Sequence, residues 1–375
     1  CTLYDENGNP YQQKGHWALK SVQPNSWGCK HSANSPARRN TFYLFNAIEA
    51  LDAPGEWFYD EESGYIFLYP TDDFYEDEKS LTSGVGGSYD IIRADTVKNL
   101  VIDGIEISSS TQYGITLLSC ENVFIQNVSV KNTMHSNLYA RECRRLAILY
   151  SDFSRCVNGG LVQISSPSSF RTLVPSENVI QNSVFHDTAP TRQTGISFSG
   201  CRMVISHNFF SNCTVSGDNA ADCILEYNRF DGGSADVVDG GMIYVHGWTT
   251  RGNHFRYNLF HRFNATHNAV YNDGQASGNY TYGNMISTLG SKSDLNKGWY
   301  SSSGYGNVCW QNIMILRNPA QVAAKGAHQL LCRALLHHPL AVGRVADDDA
   351  ARRGQRQLCR VALAELNTVR HARLF

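Results

Sequence analysis

The chain has 375 residues, 42% hydrophobic and 18% charged, with a formal net charge of −2. That is an ordinary soluble balance for one large domain or two smaller ones, with no general attraction to nucleic acid or anionic membranes. No apolar run reaches the roughly 18 residues of a membrane span, and eleven cysteines without a CxxC pair argue against a disulfide scaffold or a zinc site.

The chain starts at Cys1, with no Met and no signal peptide. Residues 1–40 read as the interior of a domain and are expected to belong to an upstream or inserted segment. Residues 41–98 read as an N-terminal β-rich cap. Phe42 to Leu51 has the pattern of a short helix, ended by Ala53-Pro54-Gly55. Trp57-Phe58-Tyr59 and Tyr65-Ile66-Phe67-Leu68-Tyr69 are β-rich runs around Asp60-Glu61-Glu62-Ser63-Gly64, the signature of a hairpin. This cap is expected to pack on the first coil of a downstream repeat.

Between residues 99 and 317 one short pattern recurs: an apolar strand, an Asn or its replacement, then another apolar position. Its copies fall at Gly104, Asn127, Ser151, Asn182, Asn208, Asn228, Asn258, Asn284 and Asn312, at steps of 20 to 31 residues. A period of this size with short β runs signals a solenoid. Regular Leu is too scarce for a leucine-rich repeat, and the units are too short for propeller blades. The expected fold is all-β: a right-handed single-stranded parallel β-helix of about nine coils. Each coil must turn sharply, and Asn or Gly tolerates the left-handed backbone that turn needs. Stacked Asn side chains, Asn127 among them, can also satisfy one another along the solenoid. Cys120, Cys143, Cys201 and Cys223 each precede a strand and read as small buried packing residues.

The composition breaks near Asn318. The last 58 residues hold 12 Ala and 8 Arg, no Tyr and no Trp, and carry +5, against −7 for the rest. Residues 318–375 are expected to be either a helical cap, with Gln321 to His338 as its helix, or the product of a shifted reading frame.

Chemistry-bearing groups are densest between Asp231 and Gly278, which includes Asp231, Asp236, Asp239, Asp273, His246, His254, His261 and His267. Aligning Met242-Ile243-Tyr244 with Ala269-Val270-Tyr271 places Tyr271 on Tyr244 and Asp273 on His246, one strand spacing apart. Asp239 and Asp273 can then stand on either side of a groove. Glycoside hydrolysis uses such a pair, one carboxyl as acid and the other as base or nucleophile. Asp beside Gly is also an ordinary turn former. Trp248 and Arg251 come in the next loop as substrate contacts, and His186 is expected to line the same groove two coils earlier. His254 and His261 read as turn or packing residues.

Two stretches carry a resemblance: Asn46 to Trp57, and Asp239-Gly240-Gly241-Met242-Ile243-Tyr244 with Arg251-Gly252-Asn253, Arg256-Tyr257-Asn258, Phe260-His261 and Val270-Tyr271-Asn272-Asp273. The chain resembles, over about residues 41–317, secreted bacterial right-handed β-helix proteins. Among these it is similar to the β-helix glycoside hydrolase family with α-L-fucosidase and xylanase members. The resemblance implies a catalytic pair at Asp239 and Asp273. It departs at Asn272-Asp273, where the family has Asp-Asp, and at His246-Gly247-Trp248, where an Arg is common. It also implies a secreted protein, extracellular or periplasmic. The partner expected is a polysaccharide or oligosaccharide, bound by a monomer without cofactor, although Asp clusters leave calcium open. The alternatives are a polysaccharide lyase on the same fold and a non-catalytic glycan-binding surface β-helix.

Overall fold

The computed structural model describes residues 20–21, 42–43, 46–60, 62–72, 89–166, 172–188, 194–232, 240–262, 268–287, 300–315, 324–325 and 330–331. The chain divides into two compact units, Cys1–Ala334 and Leu335–Phe375, and every described residue lies in the first. Its body is a right-handed parallel β-helix. The described strands form three parallel sheets of ten, ten and nine strands, here called I, II and III. Each coil visits them in that order. Sheet I starts at Ile92–Asp95, sheet II at Lys98–Asp103 and sheet III at Glu106–Ser110.

The stack therefore begins ahead of position 99. It also continues past residue 318: Ala324–Lys325 pairs in parallel with Tyr300–Ser302, and Leu330–Leu331 with Val308–Trp310. The described parts of the stretch read as a helix are thus extended, because each adds a rung to an open sheet edge.

Alternation along each strand sends one side chain into the core and the next outward. Corresponding inward positions coincide from coil to coil, so like residues stack. In sheet III, Phe153, Phe185, Phe210, Phe230 and Phe260 form one fully buried column. Successive ring centroids are 5.5, 4.9, 4.7 and 5.0 Å apart and nearly parallel. The coil spacing, about 4.8 Å, sets that separation.

The corner from sheet II to sheet III is invariant in length, with two residues between the strands in all nine coils. The first of the two is left-handed every time, from Gly104 (φ 67°) through Tyr227 (φ 54°) to Gln311 (φ 51°). The second is inward. Asn208, Asn228, Asn258, Asn284 and Asn312 occupy it, and each of the first four donates Nδ2–H to the Oδ1 of the next at 2.9–3.1 Å. The expected ladder is present, but it does not supply the left-handed residue. Only Asn127 and Asn182 combine Asn with positive φ here. Asn127 is exposed and donates to Asp103 of the previous coil, so it is not a ladder member. Gly104 and Gly283 hold it in two further coils, and in the remaining five it falls to Tyr150, His207, Tyr227, Tyr257 and Gln311. The His207, Tyr227 and Tyr257 rings stack at 5.0 and 5.3 Å, which offsets part of the roughly 1–2 kcal/mol cost of such a conformation.

A second ladder, Asn253 to Asn279 at 2.9 Å, lines the corner from sheet I to sheet II. Cys223 holds the same position one coil earlier and takes no part in a disulfide. Cys120, Cys143 and Cys201 are buried as expected. Burial pushes the Cys143 thiol up to about 11 and that of Cys223 up to about 12.

Ahead of the solenoid, Trp57–Tyr59 and Ile66–Leu68 form the expected antiparallel hairpin, in register Trp57↔Leu68. The helix expected over Phe42–Leu51 is reduced to a 3-10 turn at Ile48–Ala50, preceded by the strand Phe42–Tyr43. Asn46 is the reason. It is left-handed (φ 51°), and its amide brackets Tyr59, donating to the carbonyl at 2.9 Å and accepting from the N–H at 2.7 Å. Trp57, Tyr65, Ile66 and Phe67 remain exposed, so these side chains do not cover the first coil.

Candidate functional site on sheet I

The outward face of sheet I is a row of residues in register. Gln163, Ser197, Ser216, Tyr244, Tyr271 and Ser301 succeed one another coil by coil. Two serines next to two tyrosines make a step, from a low polar floor to an aromatic wall. The Tyr244 and Tyr271 rings meet edge to face at 5.4 Å, not in the parallel stack their alignment suggested.

Two residues further along each strand a second row carries the ionisable groups. Asp218 is the register partner of His246. Asp273 continues the column, its N–H bonded to the Val245 carbonyl at 2.8 Å. The column is therefore carboxylate, imidazole, carboxylate on three successive coils, with Ser303 above. The Asp273 carboxylate turns to Tyr244, whose hydroxyl donates to Oδ2 at 2.8 Å. The Ser303 hydroxyl donates to Oδ1 at 3.4 Å. Two donors from neighbouring coils thus orient one half-buried carboxylate. The His246 ring swings over Gly274 instead: a Cβ there would stand 2.5 Å from Nε2, and Gly274 is left-handed (φ 52°). Only glycine leaves room for the imidazole.

Tyr244, His246, Tyr271 and Asp273 are thus brought together. Trp248, 68% exposed, sits in the loop after His246. That loop is tied by Thr250, which donates its hydroxyl to the His246 carbonyl at 2.6 Å. Arg251 lies at the corner into sheet II, bridged to Ala221 and Ser277. Asp239, Asp236 and His267 lie outside the described residues. Gly240, adjoining Asp239, is buried at the start of the strand Gly241–His246.

His186 does not join the groove. It ends a strand of sheet III, with Nε2 3.2 Å from both Asp152 carboxylate oxygens and Nδ1 2.9 Å from Asp187. Asp231 is also on sheet III. Its carboxylate is held by Arg262 at 2.6 Å, Arg229 at 3.0 Å and His261 at 3.3 Å. Burial alone would raise its pKa, but those hydrogen bonds and charges outweigh burial and hold it well below the usual carboxylate range. His254 stacks on Tyr280 at 4.8 Å, the packing role expected.

Asp218 and Ser303 were missed by sequence reasoning. Extending the Tyr244–Tyr271 alignment one coil back reaches Thr214-Val215-Ser216-Gly217-Asp218 and finds the first. Among the described residues no group of three or more His, Cys, Asp or Glu is placed to hold a metal ion, and no helix is long and apolar enough to cross a membrane.

The fold and this face define a parallel β-helix with a half-exposed polar and aromatic face on one sheet. Residues 20–71 match a family model described as the GH141 insertion domain. The comparison with curated proteins finds no match. Among solved structures, PfbA, a surface adhesin of Streptococcus pneumoniae, aligns at 14% identity with a TM-score of 0.43, over 60% of this chain and 68% of that one. A likeness at this level carries no functional weight.

Proposed function

We propose that the protein is a secreted glycoside hydrolase that binds an extended polysaccharide across sheet I and uses Asp273 as one of two catalytic carboxyl groups. The observation that carries this is the Asp218–His246–Asp273 column, with the Tyr244 hydroxyl on Asp273. The match to a glycoside hydrolase insertion domain in residues 20–71 supports the same chemistry. A sugar chain presents hydroxyls and apolar ring faces together, and the serine floor and aromatic wall offer partners for both.

The second carboxyl group is either Asp239, from the start of the His246 coil, or Asp218, two coils from Asp273. Two coil spacings put the Asp218 and Asp273 α-carbons about 10 Å apart. Carboxyl groups about 6.5–9.5 Å apart leave room for a water and give inversion. Asp273, oriented by two hydroxyls, would activate that water, while the partner protonates the leaving oxygen. His246, between them, would hold sugar hydroxyls, with Trp248 stacking at the groove's edge.

The test is reducing-sugar release from plant and algal polysaccharides and aryl glycosides by wild type and by Asp273→Asn, Asp239→Asn and Asp218→Asn. Asp273→Asn and one of the other two should each lose about 10²–10⁴-fold, the usual worth of a general acid or base. Ultraviolet absorbance from an unsaturated product would instead show a lyase. Glycan binding without turnover would show a binding protein.

A further inference from the structure

A second concavity opens where the chain turns from sheet I into sheet II. Its volume is 370 Å³, within the range of small-ligand clefts, about 300–1,000 Å³. Arg202, Asp222 and Gly252 take the same corner position in three successive coils, all left-handed, with φ of 55°, 53° and 69°. Gly252 shapes the site: a Cβ there would stand 2.6 Å from Asp222 Oδ1, so its absence admits the carboxylate. Two residues on, Val204, Ile224 and His254 are register partners across sheet II and form a half-buried floor. Tyr280 extends that floor, stacked on His254 and 36% exposed.

The chemistry is that of a sugar seat. A pyranose has an apolar C–H face and a rim of hydroxyls. Val204, Ile224 and the Tyr280 ring match the face. Arg202 and Asp222, both exposed with Nε and Oδ2 3.9 Å apart, offer planar donors and acceptors to the rim. Their charges cancel, which favours a neutral sugar over an acidic one. His254 is held below its ordinary pKa by burial and then by the charge of Arg256, so it meets the ligand as neutral imidazole.

The seat and sheet I share a coil. One coil runs from His246 through Trp248 and Arg251 to Gly252 and His254, so a chain lying on sheet I can pass over that corner. We propose that this concavity is a distal subsite that seats one neutral pyranose residue of the glycan bound on sheet I. It would thereby set a preference for long chains. The proposal rests on the glycan reading of sheet I, but its test does not depend on turnover.

Binding of cello-, xylo- and manno-oligosaccharides of increasing length would be measured by titration calorimetry on full-length Asp273→Asn. The same background would carry Asp222→Ala, Arg202→Ala or Tyr280→Ala. Long oligosaccharides should bind about tenfold more weakly to each of these, and the shortest binders equally well, with an unchanged melting temperature in Arg202→Ala. Arg202→Ala keeps the test readable if Asp222→Ala misfolds, since its side chain lies on the surface. Equal long-chain affinity in Arg202→Ala and Tyr280→Ala would overturn the subsite, as would the absence of any neutral-glycan binding by the parent. The hydrolase reading fails separately, if Asp273→Asn keeps full turnover.

Discussion

Between sheets II and III the chain always spends two residues on the corner, while at the two borders of sheet I it spends between two and thirteen. The first corner is paved with amide ladders and stacked rings. The other two give rise to every long connection, including the loop that carries Trp248. The lesson is a division of labour. One corner fixes the coil geometry, and that constancy lets the sheet I borders vary without disturbing the register that aligns Asp218, His246 and Asp273.

Substitutions on the two sides should therefore separate stability from activity. The largest stability effect is expected from Phe230→Ala, which opens a void in the middle of the buried column. About 3–5 kcal/mol should be lost in denaturant unfolding, with unchanged glycan specificity in what remains folded. Asn258→Ala comes next. It removes the acceptor for both the N–H and the Nδ2 of Asn228, and the donor to Leu225 and Asn284. Buried groups left unpaired should cost about 2–3 kcal/mol, readable as a lower unfolding midpoint. If either loss is below about 1 kcal/mol, the scaffold side of the comparison is wrong.

On the sheet I side the sign reverses. Tyr244→Phe removes one donor from a half-buried carboxylate. It should cost about 1 kcal/mol of stability or less, yet lower turnover more than its stability loss explains. Gly274→Ala should displace His246 and weaken substrate binding. Its left-handed backbone adds about 1 kcal/mol of strain.

A pH titration sharpens the contrast further. The folded-state pKa of Asp231 lies below its unfolded value of about 4, so its ion pairs stabilise the fold fully above that pH. The contribution is lost as pH falls through and below about 4, because the unfolded state then binds the proton first. Asp231→Asn should be less stable than wild type at pH 7, and the gap should close towards pH 2–3, as monitored by thermal melting. The smallest effect is chemical. Cys143 and Cys223, with thiols raised to about 11 and about 12 by burial, should resist alkylation at pH 8 until the protein is unfolded.

Much of this was legible in the sequence, and the exceptions have physical causes. The period was visible because every coil contributes similar inward residues. The alignment of Tyr244 with Tyr271 worked because parallel strands stack without offset. The left-handed position was misassigned because ladder and turn are adjacent residues, and stacked rings let Tyr occupy a site that Asn or Gly would prefer. His186 was misplaced because the repeat does not announce which sheet a strand joins. Its position, directly after the Asn182-Ser183 corner, assigns it to sheet III. Asp218 escaped because Gly217 interrupts the apolar alternation of its strand and Thr194–Cys201 pairs with that strand through register shifts.

The fixed two-residue corner has an evolutionary corollary. A single residue inserted there would have to bulge from its own coil and break the ladder and ring stack at that rung, whereas a whole coil can be duplicated or deleted and still match its neighbours. Groove length in such a protein is a digital quantity, changed by one rung of about 4.8 Å at a time. Groove width and chemistry, set by the loops bordering sheet I, can drift continuously.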